Sequence, residues 1–452
     1  MPARQRLWYI EPLKTFPATS VKQRPEKCFL EKGVKVTTHH LRYVIVGGSA
    51  AGMSAAESIR ELDPQGAITV LSEESDMPYF RPLIPFVISG KKGPSDLALM
   101  GQGPYKSVDT DVRLNSRVES IDTGGQTVFV KGGESVSYDK LLITTGSRPY
   151  IPPEIAGTEA KGVFALRTLA DARAAGKRAG EASRVVMLGG GLLNLKAAFA
   201  FLERKLDVTL VVYSPEILSQ LMEPDDAGLI RDALNTAGLN VMTGCSATQI
   251  LSDTDGVNGV MLDNGREIPC QIVCIGKGVL PNVDFLEQSD IEVDPGVVVD
   301  RYATTNIDNV FAAGDVAVTF DPITGERIVT GLWTNAVEMG RCAGYNMAGR
   351  PTEYTGTFGI LNATQVADEP FVSMGIVHTS GLDYETHVIS KPTSHRKLVF
   401  TPDGKRLVGA IFVGDISRAG LYRYVIREGM PVDNIKSFII NQQLHYGHFI
   451  KH

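Results

Sequence analysis

Two glycine-rich stretches of this 452-residue chain have the spacing of a phosphate-binding turn: VIVGGSAAG (44–52) and VVMLGGGLLNLKAA (185–198). In the first, Gly47 permits a sharp turn, and Gly48 and Ser49 are small enough for a pyrophosphate to approach backbone N–H groups. Ala50 and Ala51 open a helix, and Gly52 lets that helix pack closely on its strand. The helix N-terminus supplies partial positive charge to the phosphates. Glu73 or Glu74 lies roughly 20 residues beyond the last glycine, where a carboxylate accepts from ribose hydroxyls. This is dinucleotide-binding chemistry.

The second stretch departs from that pattern. Gly189 and Gly191 keep the turn, and Leu192 and Leu193 open the helix, but Asn194 stands where a third glycine belongs. Its bulk is expected to widen the helix–strand contact. The next strand, VTLVVYS, ends in Tyr213 instead of the acid that would select an NAD ribose. Ser214, Pro215 and Glu216 follow, with no arginine for a 2′-phosphate. A tyrosine can stack on adenine and the backbone does most of the phosphate binding. The turn is therefore expected to take NAD rather than NADP; the other reading is a domain kept as scaffold.

Both turns need a strand before and a helix after, and the sequence supplies them twice. RYVIVGG is a short apolar strand, SAAGMSAAESIREL a helix rich in small residues, and AITVLSEE a second strand. From Ser183 the cycle repeats, with Gly47 and Gly189 as equivalent starts. YDKLLITTG is a buried strand that carries Thr144 and Thr145 to Gly146. The proline-rich run SRPYIPPEIAG then reads as a connection between domains. QIVCIGKGVLPN contains Gly276, and the strands after it end at Gly314 and Asp315. From about Pro351 the composition shifts. KLVFTPDGKRLVGAIFVGD is a hairpin turned by PDG, and RAGLYRYVIREG a helix stopped by glycine.

Composition bounds the rest. A 43% apolar and 21% charged chain of this length is a globular protein of several domains. The net charge of −6 is uneven: residues 1–40 hold eight Lys/Arg against three Asp/Glu. A basic arm on an acidic body is a solvated tail or a docking element, and the acidic body argues against nucleic acid. No apolar run approaches the ~20 residues of a membrane helix, and the N-terminus shows no h-region, so no signal peptide is expected. Cytoplasm is the expected location. None of the five cysteines forms a CxxC. Cys270 and Cys274, four apart in an apolar strand, are expected to face one side of it. His445, His448 and His452 near the C-terminus read as solvated, and Arg418 and Arg423 as a solvated helix face. No metal site is expected.

VGGSAAG, LLITTGSRP, GGGLLNLKAA and VFAAGDVA, in this order, resemble the landmarks of the FAD-dependent pyridine nucleotide-disulfide oxidoreductases, from about Arg42 to about Gly429. The resemblance implies an α/β fold with two Rossmann-like dinucleotide-binding domains, the second inserted in the first, plus a C-terminal α+β domain. The FAD domain would span 42–153 and 283–350, the NAD(P)-type domain 154–282 and the interface domain 351–452, with a basic extension over 1–41. By the same resemblance Asp315, beside Gly314, would hydrogen-bond the ribityl chain. Thr145 and Gly146 would lie against the flavin nucleotide, and Val118 would meet adenine through its backbone. PYFRPLI is similar to a segment of the ferredoxin-reductase-like and nitrite-reductase-like branch. It would place Arg81 and Pro82 near the isoalloxazine or pyrophosphate. Lys196 stands where that family usually has Glu.

The family's disulfide and single-cysteine members place a redox cysteine in segments that here contain none; residues 73–90 have no Cys. Electrons are therefore expected to pass directly between NAD(H), FAD and an external carrier, most simply an iron–sulfur redox protein, without a catalytic protein base. The alternatives are a flavoprotein electron-transfer subunit of a larger metalloenzyme with a vestigial NAD site, and a quinone reductase held on a membrane by the amphipathic tail SFIINQQLHYGHFI. A homodimer or a heteromeric complex is open.

Overall fold

The computed structural model of the chain describes residues 40–100 and 108–449. Nearly all of the basic extension and His452 lie outside the described residues. Strands β1 (Arg42–Val46), β2 (Ala67–Leu71), β3 (Asp111–Arg113) and β4 (Lys140–Ile143) form one parallel sheet with the later strand Val310–Ala312. The first-lying strand is central: Val46 pairs with Leu71 on one side and Ile143 on the other. Helix α1 (Ala50–Leu62) joins β1 to β2 as a parallel crossover must.

The second sheet repeats this order in four strands; its fifth, beside the returning strand, comes at the start of the unit instead of at its end. Strand β5 (Val163–Phe164), β6 (Arg184–Leu188), β7 (Asp207–Val212), β8 (Asn240–Thr243) and β9 (Ile272–Ile275) are parallel, with β6 central and α2 (Leu192–Glu203) as the crossover. A three-stranded antiparallel meander stands between the third and the returning strand in both units, at 118–137 and 247–269. Strand Val310–Ala312 closes the first sheet only after the whole second sheet has been built. The second Rossmann-like unit is thus inserted in the first. The proline-rich connection is itself paired: Ser147–Pro149 runs antiparallel to the returning Val279–Pro281.

Small residues do the packing they were expected to do. Helix α3 (Trp333–Met347) crosses α1 so closely that a Cβ on Gly340 would lie 2.2 Å from the Ala51 carbonyl oxygen. One on Gly344 would lie 2.5 Å from that of Ala55. The cysteines behave differently from expectation. Cys270 packs in the core on one side of the second sheet and Cys274 in the core on the other. The strand Glu267–Pro269 ends before Cys270 and β9 begins only at Ile272, so the two-residue alternation is broken between the cysteines.

The C-terminal region is a five-stranded antiparallel sheet, including the hairpin Ser394–Phe400/Leu407–Val413, with helix Ala419–Arg427 packed on it through Phe412 and Tyr422. Within the tail Ile439 and Leu444 are fully buried in this core, while Phe438 and Tyr446 are exposed. Arg423 pairs with Glu338 at 3.3 Å and Arg418 donates to the Gln442 carbonyl at 2.8 Å, so both bind within the chain. His445 and His448 stack on each other, with ring centroids 3.9 Å apart. The sheet's other face is bolted to the second nucleotide unit by buried charges. Lys397 Nζ donates to Glu223, to Asp226 (3.4 Å) and to the Val377 carbonyl, while His395 Nε2 meets Asp226 Oδ1 at 2.8 Å.

Candidate functional site

At the first turn Gly47 has φ +112°, and a Cβ there would lie 2.2 Å from the Thr144 carbonyl oxygen. Gly52 is as constrained: its Cβ would lie 2.0 Å from the Gly47 carbonyl oxygen. Thr144, one residue past β4, donates its hydroxyl to the carbonyls of Val46 (3.0 Å) and Gly47 (2.9 Å). These contacts hold the turn so that the first N–H groups of α1, capped by no side chain at Ser49, face outward for an anion.

The second turn uses the same frame with the parts exchanged. Gly189 has φ +110°, and its Cβ would lie 2.2 Å from the Gly276 carbonyl oxygen. The two equivalent carbonyls, of Leu188 and Gly189, accept from Asn194 Nδ2 at 2.9 and 3.0 Å. Asn194 is fully buried, and Gly276 makes its room: a Cβ on Gly276 would lie 2.4 Å from the Asn194 carboxamide carbon. The expected widening by Asn194 is therefore replaced by a hydrogen-bonded plug. Around Gly191, the N-cap of α2, a Cβ would meet nothing within 4 Å, which leaves room for a phosphate. Tyr213 is 57% exposed just past β7. Glu216 is buried and committed to Arg231 and to the Ile217 N–H, so it cannot stand in for the ribose acid.

Both units open on one cavity of about 940 Å³. From the first unit Gly47, Ser49, Ala50, Ala51, Val118, Thr144, Thr145, Gly146, Gly314 and Asp315 line it, with Glu73, Glu74, Arg81 and Pro82. From the second unit Leu192, Leu193 and Lys196 of α2 reach it. Gly48, Gly189, Gly191, Asn194, Tyr213 and Gly276 do not line it: they shape the turns or lie toward the far end of the second unit. The sequence reading missed Ser147, Arg148, Phe164, Arg167 and Trp333, which also line it. The threonine–aspartate pair that begins the helix at Leu169 marked the place of Arg167, because Asp171 accepts from the Arg167 and Thr168 N–H groups.

The charges of the cavity are matched. Glu74 accepts from Arg81 at 2.7 Å and from Tyr79 Oη at 2.7 Å, using both carboxylate oxygens. Arg81 also donates to the Arg167 carbonyl at 2.9 Å, tying the two units together. Glu73 is left on the exposed side and, among the described residues, pairs only with Arg117. Asp315 Oδ2 accepts from Ser147 Oγ (3.0 Å) and Arg167 Nη2 (2.9 Å). Asp76 pairs with Arg173 and Asp284 with Arg148. Lys196 alone among the described charged groups of the lining has no hydrogen bond or ion pair, and burial holds its pKa below the ordinary lysine value.

No described cysteine lines the cavity, and Cys245, Cys270, Cys274 and Cys342 are all buried. Burial pushes the Cys270 and Cys342 thiols up to about 12, so neither is a thiolate near neutrality.

Residues 41–340 match the family model described as pyridine nucleotide-disulphide oxidoreductase. The chain belongs to that family. It is similar to the NADH-dependent phenylglyoxylate dehydrogenase subunit epsilon of Aromatoleum evansii, with 29% identity over 90% of this chain and 96% of that protein. It is 30% identical to the rubredoxin-NAD(+) reductase of Pseudomonas putida over 68% of this chain and 80% of that one. Among solved structures, an NAD-dependent persulfide reductase from A. fulgidus superposes with a TM-score of 0.82 at 27% identity, covering 87% of this chain and 78% of that one.

This family member is an FAD-dependent NAD(P)H oxidoreductase, with FAD and NAD(H) as cofactors. The first turn has the geometry to receive a dinucleotide phosphate: Gly47 and Gly52 let the turn close tightly on Thr144 and the strand behind it, and no side chain caps the helix start in front. Among the described residues no helix is long and apolar enough to cross a membrane.

Proposed function

We propose that the chain carries electrons between NAD(H) and an iron–sulfur redox protein through FAD, with no sulfur relay. One observation supports this above the others: a single cavity is lined by the first nucleotide turn and by the start of α2 that follows the second, and no described cysteine lines it. FAD, when bound, supplies the step from two-electron to one-electron chemistry.

The residues divide the work. Gly47, Gly48, Ser49 and the start of α1 would hold the flavin pyrophosphate. Glu73 would accept from the adenosine ribose, since Glu74 is used by Arg81 and Tyr79. Val118 would meet adenine. Asp315 would orient the ribityl hydroxyls, already fixed by Ser147 and Arg167. Trp333 and Phe80, with ring centroids 5.7 Å apart, would exclude water beside the ring. Gly191, Leu192 and Leu193 would present N–H groups to the NAD phosphates. This is positioning chemistry and needs no protein base. We place the protein in the cytoplasm.

A second reading makes the chain a subunit of a larger redox complex, favoured by the similarity to a protein itself named as a subunit over nearly its whole length. Anaerobic titration of the isolated holoprotein with NADH separates the two. Rapid bleaching of the flavin supports the first reading. An oxidised flavin at millimolar NADH supports the second. Reduced protein that passes no electrons to rubredoxin or ferredoxin would sink the assignment of an iron–sulfur partner.

A further inference from the structure

We propose that Lys196 sets the direction of hydride exchange, its positive charge favouring reduced flavin and disfavouring oxidised nicotinamide in the shared cavity. This rests on the reading of the site as the meeting place of NAD(H) and FAD. Lys196 lies on α2, one turn inside the helix whose N-terminus opens the second nucleotide turn, and it lines the cavity together with Asp315, Gly314 and Trp333 of the flavin unit. It is the only charged side chain of the described lining without a partner.

An unmatched ammonium in a partly desolvated wall costs stability. A ligand that brings negative charge offsets that cost. Two parts of the ligands do so. The nucleotide pyrophosphate is one, but the free N–H groups at the start of α2, beside the open Gly191, already await it a turn earlier. The other is the charge created by the reaction. When a hydride, one proton with two electrons, passes from a dihydronicotinamide to an isoalloxazine, the nicotinamide ring changes from neutral to +1. The flavin changes from neutral to an anion. A fixed cation stabilises the second product and destabilises the first, so both effects push the same way: NADH reduces the flavin and NAD⁺ is released. A carboxylate at this place would push in the opposite direction, and a neutral side chain would not push at all.

The test uses the flavin-loaded protein with Lys196→Met and Lys196→Gln as neutral variants and Lys196→Arg as the variant that keeps the charge. The flavin spectrum reports folding in each. The midpoint potential is measured by dye-equilibrated titration without nicotinamide, and the dissociation constants of NADH and NAD⁺ by fluorescence quenching. Loss of the charge is expected to lower the two-electron equilibrium about tenfold, which is ~30 mV. It should also narrow the preference for NADH over NAD⁺ at least threefold. Lys196→Arg should retain both properties. An unchanged midpoint in the neutral variants overturns the proposal, as does an equal loss of NADH and NAD⁺ affinity, which would make Lys196 a pyrophosphate contact. If the wild-type flavin is not reduced by NADH, the donor assignment fails, while the midpoint comparison still decides the role of Lys196.

Discussion

The two nucleotide turns solve one geometric problem with different residues. Each must hold a positive-φ glycine against the end of the neighbouring strand and must satisfy the two carbonyls that the bend exposes. In the first turn the donor is the Thr144 hydroxyl, coming from the neighbouring strand, and the helix gives way with Gly52. In the second the donor is the Asn194 carboxamide, coming from the helix, and the neighbouring strand gives way with Gly276. A missing glycine is thus a relocated one. Loss of the third glycine does not by itself show that a nucleotide turn has decayed, because what must be conserved is the pairing of one polar donor with one vacant Cβ.

The strongest way to break this comparison is to block each turn. Gly47→Val forces a β-branched residue into φ +112° with its Cβ 2.2 Å from a carbonyl oxygen. Purified protein should lack flavin, read as the ratio of visible to ultraviolet absorbance. Gly189→Val meets the same obstruction in the other unit. It should retain flavin yet lose NADH-driven bleaching by more than 100-fold, on the order of the ~3 kcal/mol that such strain costs. Flavin loss in both variants would mean that the two units do not act separately.

The plug itself is open to a double-mutant cycle. Asn194→Gly removes two hydrogen bonds from buried carbonyls and should destabilise the protein by about 2 kcal/mol. Gly276→Ala drives a Cβ to 2.4 Å from the Asn194 side chain, and overpacking costs about 1–3 kcal/mol. In the Asn194→Gly background the same alanine should be nearly free. Thermal unfolding of the four proteins gives the coupling, and strict additivity would remove the exchange argument.

The parts of this arrangement that lie close together in sequence were legible there. The strand–glycine–helix cycles, the acids after β2 and the small-residue face of α3 follow from local spacing. The exchange was not legible, because Thr144 lies 97 residues from Gly47 and Asn194 is matched to a glycine 82 positions away. No local pattern couples such positions. Arg167 and Ser147 were missed for the same reason: their partner Asp315 lies 148 and 168 residues beyond them. Alternation carried through Gln271 puts Cys270 and Cys274 on one face, but there the chain passes from one strand to another.

The units also differ in what clamps them, and pH sharpens that difference. Burial opposes the charge on Glu223. Lys397 and the N–H groups of Ser380 and Thr379 outweigh it and hold the carboxyl down to about 2. A carboxylate depressed on folding contributes stability above its ordinary range, and that stability is lost as pH falls through the folded value. The bond between the second unit and the C-terminal sheet should therefore weaken between about pH 4.5 and 2. Glu223→Gln should remove that dependence, seen as flatter acid unfolding by circular dichroism. An unchanged acid profile would place the sensitive carboxylates elsewhere.

The smallest expected effect concerns Tyr213, where the second turn lacks the acid that Glu73 and Glu74 bring to the first. Tyr213 is exposed and free of partners among the described residues, and the nearby Glu216 is held by Arg231. Tyr213→Asp puts a carboxylate where ribose hydroxyls would donate. A hydrogen bond to a charged group contributes roughly 1.5–3 kcal/mol when shielded, and exposure to water reduces it. NADH should therefore bind three- to tenfold more tightly, while NADPH, whose 2′-phosphate would face that carboxylate, should weaken. Tyr213→Phe should leave NADH affinity within twofold if the ring acts by stacking alone. Tighter binding of both nucleotides to Tyr213→Asp would show that the adenosine ribose lies elsewhere. The likeness between the two turns would then end at the pyrophosphate.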